Sequence, residues 1–288
     1  MGAVAALLPD GRLHLQHGPI DLVIGVEGQD DARRKAFRAA RDRFASILAE
    51  LVPELPLLRA PLGAVPEGLI ARRMHRACKG VAQGDFVTPM AAVAGSVADE
   101  VLAAMLAATP LARAHVNNGG DIALHLAPGA EYRAAIAGLD GQLAGRITLR
   151  ATDGIGGIAT SGQGGRSLSF GIASSVTVLA RDAATADAAA TLIANAVDLP
   201  DHPGITRQPA CDIWPDSDLG ARLVVTDVAP LPPADIARAL SQGAARAQAM
   251  IDTGAIAAAA LVLQGQGVTV GEFTDRATAR TERSLQHA

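Results

Sequence analysis

The segment around which we interpret the chain runs from Gly154 to Val197 and reads GIGGIATSGQGGRSLSFGIASSVTVLARDAATADAAATLIANAV. Glycines are concentrated in its first part, an apolar and β-branched run covers Ser174 to Leu179, and a helical pattern begins at Asp182. The β-branched run predicts a strand. Two glycine loops followed by a strand and a helix suit an anionic ligand together with a hard metal ion.

Asp187 and Thr191 are one turn apart on the predicted helix, so both side chains lie on one face. Mg²⁺ selects oxygen ligands and commonly keeps waters while it contacts substrate phosphates. The glycine loops could donate backbone amides to those phosphates. In the alternative interpretation, Asp187 complements the dipole of its own helix, and Thr191 faces the core or the solvent. Spacing alone leaves both interpretations open.

A polar segment between two predicted strands reads Asn117-Asn118-Gly119-Gly120-Asp121. Asn-Gly is a favoured hairpin turn because both residues tolerate positive φ. The segment therefore predicts a hairpin tip. Two asparagines, two glycines and an aspartate exceed what one turn needs, and the exposed amides and carbonyls could also hold a ligand.

The order of the elements predicts an α+β fold with mostly antiparallel sheet and packed helices. We predict a hairpin over Leu13 to Val26, strands between Ala114 and Arg150, and a strand at Leu223 to Val228. We predict helices from Asp30 or Asp31 to Pro53, over Met90 to Ala108 with Thr88 as its cap, and over Asp235 to Thr253. We expect a loop from Pro200 to Pro215 and a β-type or buried run from Ile256 to Leu263. We expect a single domain over residues 1–288. Its parts are a hairpin and helices over 1–110, an α+β core over 111–265 and a charged tail over 272–288.

Composition limits the possible functions. Hydrophobic residues make up 49% of the 288 residues, which indicates a folded chain. The net charge of −4 gives no basis for nucleic-acid binding. The two cysteines, Cys78 and Cys211, lie far apart without a second cysteine nearby, so neither a disulfide framework nor a zinc site is indicated.

We expect a cytoplasmic protein without a membrane segment. The apolar N-terminus lacks a basic region, and Asp99 and Glu100 interrupt the longest apolar run. The alanine-rich helix from Met90 to Ala108 would suit a homodimer interface, although burial within the domain is the main expectation. A basic cluster either lies on the surface or neutralises an anionic ligand, and consists of Arg72, Arg73, His75, Arg76 and Lys79.

Several common active-site motifs are excluded. Gly154, Gly156 and Ala159 match the dinucleotide fingerprint in letters, but we expect the loop to continue through Gly165 where the fingerprint requires a helix. No P-loop lysine follows the glycines, no glycine lies two residues before Ser161 as in a nucleophile elbow, and no HExxH is present.

Several segments, in their order and spacing, resemble the successive motifs of the ApbE superfamily, the FAD:protein FMN transferases. These segments are Asn118 to Ile122, Ala159 to Gly162, Val176 to Val178 and Ala186 to Thr191. Two flanking segments, Pro89 to Gly95 and Asp216 to Gly220, resemble the uncharacterised ApbE-like branch. The resemblance extends from Leu22 to Leu231 and implies one ApbE-type domain.

The resemblance also implies roles for individual residues. Asp187 and Thr191 would be Mg²⁺ ligands, with help from backbone carbonyls. The residues beside or lining a pocket for FAD, FMN or another phosphorylated small molecule would be Asn117, Asn118, Gly119, Gly120, Asp121, Thr160, Ser161 and Gly162. The His-containing strand and the Asp-Pro-x-Thr-Gly turn of the transferases are missing between Gln163 and Ala173. No catalytic residue is therefore assigned.

Three hypotheses follow. The protein binds a flavin nucleotide or another phosphorylated ligand with Mg²⁺ and transfers FMN; or it acts on a different small anion, for example in sulfur or amino-acid metabolism; or it is a non-catalytic partner protein. Arg166 or the Arg72 to Arg76 cluster pointing into a small basic pocket would indicate the second hypothesis. The low content of aromatic residues, 2%, also favours it.

Overall fold

A computed structural model of the protein describes residues 2–137, 143–165 and 167–272. The strands are β1 Val4–Leu7, β2 Leu13–His17, β3 Ile20–Glu27, β4 Arg113–Asn118, β5 Asp121–Leu126, β6 Glu131–Ala137, β7 Leu143–Arg150, β8 Gly157–Ser161, β9 Ser175–Ala180, β10 Ile205–Pro209, β11 Leu223–Val228, β12 Ala258–Leu263 and β13 Gln266–Gly271. The α-helices are α1 Asp30–Leu51, α2 Leu55–Leu58, α3 Leu69–Ala82, α4 Val93–Ala108, α5 Ala183–Ala196, α6 Ala210–Ile213 and α7 Pro233–Asp252. Short 3₁₀ turns cover Val52–Glu54, Pro89–Ala92 and Ala151–Asp153.

Nine strands form one sheet in the order β1-β2-β3-β4-β5-β8-β9-β12-β13. Every neighbouring pair in this sheet is antiparallel. Two further antiparallel pairs, β6-β7 and β10-β11, lie outside it. The predicted α+β fold with mostly antiparallel sheet is confirmed.

The helices cover one face of the large sheet, and the β6-β7 hairpin packs on the other. Successive side chains of β8 pack on the two opposite faces of the sheet. Ala159 belongs to the main core with the helices, whereas Ile158 packs with Ile147 and Leu149 of β7. Because successive side chains of a strand point to opposite faces, each residue of the candidate site can be assigned to one face.

The expected loop through Thr160 to Gly165 is wrong in its first part, because Thr160 and Ser161 belong to strand β8. β8 lies between β5 and β9, with Ile158 opposite Ile122 and Ser161 opposite Val176. Its first residue, Gly157, permits a close approach to the start of α5. A Cβ there would lie 2.2 Å from the carbonyl of Asp182. Glycine at this strand end reflects packing between strand and helix.

Other elements differ from the predictions. Helix α3 forms where the sequence indicates only a basic cluster, and β10 and α6 occupy the expected loop from Pro200 to Pro215. Thr88 does not cap the following helix: its hydroxyl bonds to Asp218, and the chain makes a 3₁₀ turn before α4. Strands β1 and β13 at the sheet edges were not predicted. The part of the predicted tail from residue 273 onward lies outside the described residues.

One helical segment, Pro89–Ala108, is long and apolar enough to span a membrane by length and composition. Its α-helical part, α4, packs against α1, α5, β4 and β5. Both charges that interrupt the segment are used inside the fold: Asp99 accepts hydrogen bonds from the start of α5, and Glu100 pairs with Arg43 and Arg73. This packing matches a core helix of a globular domain. A homodimer stays a prediction.

Candidate functional site

The β4-β5 hairpin tip and helix α5 meet at the beginning of α4. The Asn118 side-chain amide donates to the Ala94 carbonyl at 3.1 Å, and the next residue, Gly95, donates its backbone amide to Oδ2 of Asp187 at 2.9 Å. Asn118 is buried, whereas Asp187 keeps some access to solvent. Two segments that are distant in sequence therefore contact adjacent peptide units.

Gly95 allows α4 and α5 to come this close. A Cβ at this position would lie 2.2 Å from the carbonyl oxygen of Ala183. Any larger residue would push the two helices apart and break the bond from Gly95 to Asp187. The segment Pro89 to Gly95, noted from its resemblance to ApbE-like proteins, thus positions the carboxylate of Asp187.

Asp187 lies close to a second carboxylate. The pKa of Asp187 is raised well above its ordinary value, first by burial and then by the negative charge of Asp121. Asp121 is opposite Asn118 in the hairpin register, so both side chains lie on the helix face of the sheet. Burial, with a smaller contribution from Asp187, likewise raises the pKa of the Cys78 thiol. Two nearby carboxylates in a desolvated setting favour a bound cation or proton.

Asp99 makes the reciprocal contact between the same helices. From α4 its two carboxylate oxygens accept the backbone amides of Ala183 and Ala184, the first residues of α5, at 3.0 and 2.9 Å. Asp182, at which the sequence predicts that the helix begins, is the N-cap and accepts from the amide of Thr185 at 2.8 Å. The α5 N-terminus is thus capped by protein groups. Burial raises the pKa of Asp99 to about 6 despite these bonds.

The face of α5 that carries Asp187 and Thr191 continues one turn further to Asn195. Asn195 Oδ1 accepts the backbone amide of Phe170 at 3.0 Å and the hydroxyl of Ser169 at 3.2 Å. Thr191 therefore lies along the helix between a turn that contacts α4 and a turn that holds Phe170. It is half-buried.

An aromatic pair adjoins this end of the face. The rings of Phe170 and Phe86 have centroids 6.0 Å apart, and the guanidinium of Arg222 lies 3.5 Å from the Phe86 ring centroid. Two residues after Phe86, the buried Thr88 donates its hydroxyl to Asp218. The residue just before one flanking segment, Pro89 to Gly95, thus bonds to the other, Asp216 to Gly220. Sequence reasoning missed these aromatic residues, because isolated phenylalanines carry no periodic signal.

The sheet separates the predicted pocket residues into two groups. Ser161 shares the helix face with Ala159, by alternation along β8. Thr160 faces the opposite side, where its hydroxyl lies 2.9 Å from that of Thr177. The structure therefore brings Ser161, but not the Thr160 side chain, to the side of Asp187.

The same separation holds at the hairpin tip. Asn118 and Asp121 are on the helix face, and Asn117 points the other way and accepts the amide of Gly120 at 2.8 Å. Gly119 and Gly120 form the turn, with φ of 67° and 115°. The predicted hairpin tip is present, and one of its amides is used to close the turn.

The second glycine loop uses its amides internally. Gln163, Gly164 and Gly165 donate their backbone amides to the carbonyls of Ala173, Ser174 and Gly162. Gly162 has φ of 130°, and a Cβ there would lie 2.9 Å from the Ala173 carbonyl. These glycines close a tight loop against β9, and the three donated amides are already paired.

Part of the predicted basic cluster lines a cavity of about 630 Å³ beside the N-terminus of α5. Arg73, Arg76 and Arg181 border it together with Asp99 and Asp182. Arg73 is paired with Glu100 at 3.0 Å. The other members point elsewhere: Arg72 and Lys79 are exposed, and His75 is buried against the Gly63 carbonyl. Arg166 lies outside the described residues.

The oxygen-rich side chains near Asp187 suit Mg²⁺ by their chemistry. A carboxylate, a second carboxylate at Asp121 and the Thr191 hydroxyl are hard donors. Among the described residues, no group of three or more His, Cys, Asp or Glu is arranged to hold a metal. Further ligands would therefore have to come from backbone carbonyls, water or the phosphates of a ligand, which is common for Mg²⁺.

The fold and this arrangement define an ApbE-like α+β protein. A family model described as AbpE bacteria matches residues 5–270, and the chain belongs to this family. The match confirms the resemblance to the ApbE superfamily inferred from the motifs.

The chain is also similar to proteins named UPF0280. It is 40% identical over 146 residues to one from Methanothermobacter thermautotrophicus, which covers 48% of this chain and 52% of the relative. It is 36% identical over 165 residues to one from Methanopyrus kandleri, covering 56% and 61%. The chain thus spans only about half to three fifths of the length of these curated relatives.

Among solved structures, similar chains include the Pseudomonas stutzeri flavinyl transferase ApbE and the Vibrio cholerae flavin transferase ApbE. The first has a TM-score of 0.46 at 14% identity, covering 93% of both chains. The second has a TM-score of 0.40 at 15% identity, covering 94% of this chain and 98% of the other.

Proposed function

We propose that this protein binds FAD, FMN or a related phosphorylated ligand together with Mg²⁺, between the β4-β5 hairpin tip and helix α5. The observation that carries the proposal is the placement of the Asp187 and Asp121 carboxylates on the helix face of the sheet, next to the hairpin tip. A purely structural cap for α4 needs one acid. The second acid makes the arrangement unfavourable unless a cation or a proton is bound.

Asp187, Asp121 and Thr191 would hold the metal, and the ligand phosphates would complete its coordination. When bound, Mg²⁺ neutralises charge on those phosphates. Asn118 fixes the hairpin tip to Ala94 and Gly95 fixes Asp187, so the chain presents these groups without a large rearrangement. Ser161 lies on the same side of the sheet and would contact the ligand.

The aromatic pair supports a planar ring as part of the ligand. Phe170 is held by Asn195, one turn beyond Thr191, and Phe86 packs beside it. Aromatic contacts of this kind stabilise flavin or purine rings. Although aromatic residues are scarce in the chain, two of its five phenylalanines are placed at this end of the site.

Transfer of FMN to a protein threonine is the finer form of the proposal. The histidine and the Asp-Pro-x-Thr-Gly turn that the resemblance leads us to expect are absent between Gln163 and Ala173. We therefore assign ligand and metal binding to the residues above, and no proton transfer to any side chain. Incubation with FAD, Mg²⁺ and a threonine-containing peptide, followed by mass spectrometry, tests whether FMN becomes attached.

Calorimetry with FAD, FMN and ADP, each with and without Mg²⁺, tests the binding proposal. We expect Mg²⁺-dependent binding that falls by at least about tenfold in Asp187→Asn. Asp99→Asn is the matched control, since Asp99 bridges the same helices from the opposite side, and its binding should be retained. Absence of binding by all three nucleotides, or equal losses in both variants, would overturn the proposal. Such a result would favour the non-catalytic partner protein.

The cavity of about 630 Å³ supports a second candidate function, an enzyme acting on a smaller anionic metabolite. Arg76 and Arg181 border it without an ion pair to any described residue, beside the paired Arg73. Guanidinium groups bind carboxylates and phosphates in two-pronged geometry. Arg76→Gln and Arg181→Gln should weaken sulfate or phosphate binding and leave FAD binding unchanged. Unchanged anion binding in both variants would remove this candidate.

A further inference from the structure

A second, larger cavity lies on the face of the sheet opposite α5. Its volume is about 900 Å³, and residues of the β1-β2 turn, β3, β4 and β6 border it. The alternation along β4 places His115 on this face, because its neighbours Ala114 and Val116 belong to the main core. The cavity therefore shares no lining side chain with the site around Asp187.

Two rings form a wall of this cavity. The ring centroids of His115 and Tyr132 are 5.5 Å apart, tilted by 57°. The His115 ring lies over Gly25 of the neighbouring strand, where a Cβ would be 2.2 Å from its Cε1 atom. Any other residue at position 25 would displace this ring. A glycine at this strand position therefore makes room for the imidazole.

The polar atoms of these rings have no hydrogen-bond partner within the described part of the chain. His115 and Tyr132 are each half-buried. Burial, with smaller contributions from Arg12 and Arg113, lowers the pKa of His115, so the ring is neutral at pH 7. A neutral imidazole offers one donor and one acceptor, and the phenol offers both.

Guanidinium groups surround the rings. Arg12 and Arg113 are near enough to influence both His115 and Tyr132 electrostatically. Each has a carboxylate partner, Asp10 for Arg12 and Glu27 for Arg113. Arg133, next to Tyr132 in β6, also borders the cavity, but neighbours on a strand point to opposite faces, so its side chain leaves β6 on the side away from the two rings. Arg12 is exposed, and its pair with the exposed Asp10 leaves guanidinium donors for a ligand.

We propose that this cavity binds a planar ring bearing one anionic group, of the size of a nucleoside monophosphate. The ring would pack on Tyr132 and His115, and Arg12 would hold the anion. The cavity volume lies within the range of small-molecule sites. Base stacking on aromatic side chains and guanidinium–phosphate bonding are the two interactions that such a ligand requires.

Tyr132 is the single tyrosine of the chain, so it reports on this cavity without interference. We would label tyrosine with ¹³C and follow its NMR signals during titration with adenosine monophosphate, and separately with adenosine and with inorganic phosphate. We expect saturable shifts with adenosine monophosphate, and weaker binding of adenosine alone and of inorganic phosphate alone. Arg12→Gln should weaken binding at least about tenfold, the loss expected for one charge-assisted hydrogen bond.

Arg41→Gln is the matched control. Arg41 is likewise exposed, on α1, and pairs with Asp42 on its own helix. The titration is repeated in Asp187→Asn with EDTA present, where the tyrosine shifts should persist because this cavity needs neither that carboxylate nor a metal. Circular dichroism of each variant checks its folding.

Three outcomes would overturn the proposal: no tyrosine shift at millimolar adenosine monophosphate, equal losses in Arg12→Gln and Arg41→Gln, or loss of the shifts in Asp187→Asn. Failure of flavin-nucleotide binding at the other site would leave this result unaffected.

Discussion

Asp99 and Asp187 connect the same two helices in opposite directions. Asp99 on α4 accepts two amides at the start of α5, and Asp187 on α5 accepts the amide of Gly95 near the start of α4. Each carboxylate thus serves the N-terminal end of the other helix, where backbone amides lack intrahelical partners. By this contact alone, both residues have a structural role.

The difference between them is the surrounding charge. Asp99 places both oxygens on amides, and the positive Arg73 opposes the charge of its neighbour Asp182, whereas for Asp187 the negative Asp121 has the largest effect after burial. Like charges close together in a desolvated setting are costly unless a proton or a cation is bound. A capping contact therefore does not exclude a metal-binding role. The neighbouring charge, rather than the contact, separates the two residues.

Breaking the contact between the helices should produce the largest effect. In Gly95→Ala the new Cβ meets the Ala183 carbonyl, so both reciprocal contacts are disturbed. We expect a loss of about 3 kcal/mol or more in the free energy of unfolding, typical of severe overpacking. Gly80→Ala on α3 is the control. Apart from its own helix, no atom of the described residues lies within 4 Å of the position that its Cβ would occupy, and alanine should stabilise that helix by about 0.5–1 kcal/mol. Equal stability of the two variants in urea unfolding would contradict the close approach.

Asp99→Ala should cost about 2–3 kcal/mol at pH 7, because the amides of two buried residues lose their acceptor. The cost should also depend on pH. The pKa of Asp99 is raised to about 6 in the folded protein, above the ordinary 3.8, so the folded state binds the proton more tightly. Its contribution to stability is therefore largest below pH 4 and declines as the pH rises to about 6.

The measurement is urea unfolding of the wild type and of Asp99→Ala between pH 4 and pH 7. The difference between them should shrink with rising pH by up to about 3 kcal/mol, the value of a two-unit shift. A difference that grows with pH would show that the amides, and not burial, dominate the titration of Asp99.

How far the sequence predicts these contacts depends on their range. The local pattern predicts a helix that begins at Asp182, and this residue accepts the amide of Thr185 three residues away. The hairpin tip was predicted from Asn118 and Gly119 for the same local reason. Asp99 and Gly95 contact residues more than eighty positions away, and no local pattern reports such contacts.

At the glycines, the local pattern suggested contact with a ligand where the structure shows packing within the chain. Their density predicted loops that cradle phosphates, yet Gly157 begins a strand against Asp182, and the amides of Gly164 and Gly165 bond within the chain. The sequence alone does not distinguish a glycine selected for close packing from one selected for ligand contact. Only the backbone that lies next to the glycine in the structure distinguishes them.

Asp187→Asn tests whether Asp187 binds a metal ion in addition to the Gly95 amide. The amide oxygen of asparagine can still accept from Gly95, while the repulsion with Asp121 is removed. Without metal we expect the variant to be as stable as the wild type or more stable, by about 1 kcal/mol. Mg²⁺ should stabilise the wild type by about 1.4 kcal/mol at ten times its Kd, and Asp187→Asn hardly at all. Asp99→Asn should keep the response to Mg²⁺. If Asp187→Asn is less stable than the wild type but is still stabilised by Mg²⁺, Asp187 acts only as a helix cap.

The smallest effect should come from the two adjacent residues of β8. Thr160→Val removes the hydroxyl that lies 2.9 Å from Thr177 on the face away from Asp187, so we expect a loss of about 0.5–1 kcal/mol in stability and unchanged nucleotide binding. Ser161→Ala removes a hydroxyl on the helix face, so its stability should change little and its affinity for FAD or ADP with Mg²⁺ should fall a few-fold. Because neighbours on a strand point to opposite faces, the pair separates a role in the sheet from a role in the site. Loss of binding in Thr160→Val with none in Ser161→Ala would place the ligand on the other face of the sheet.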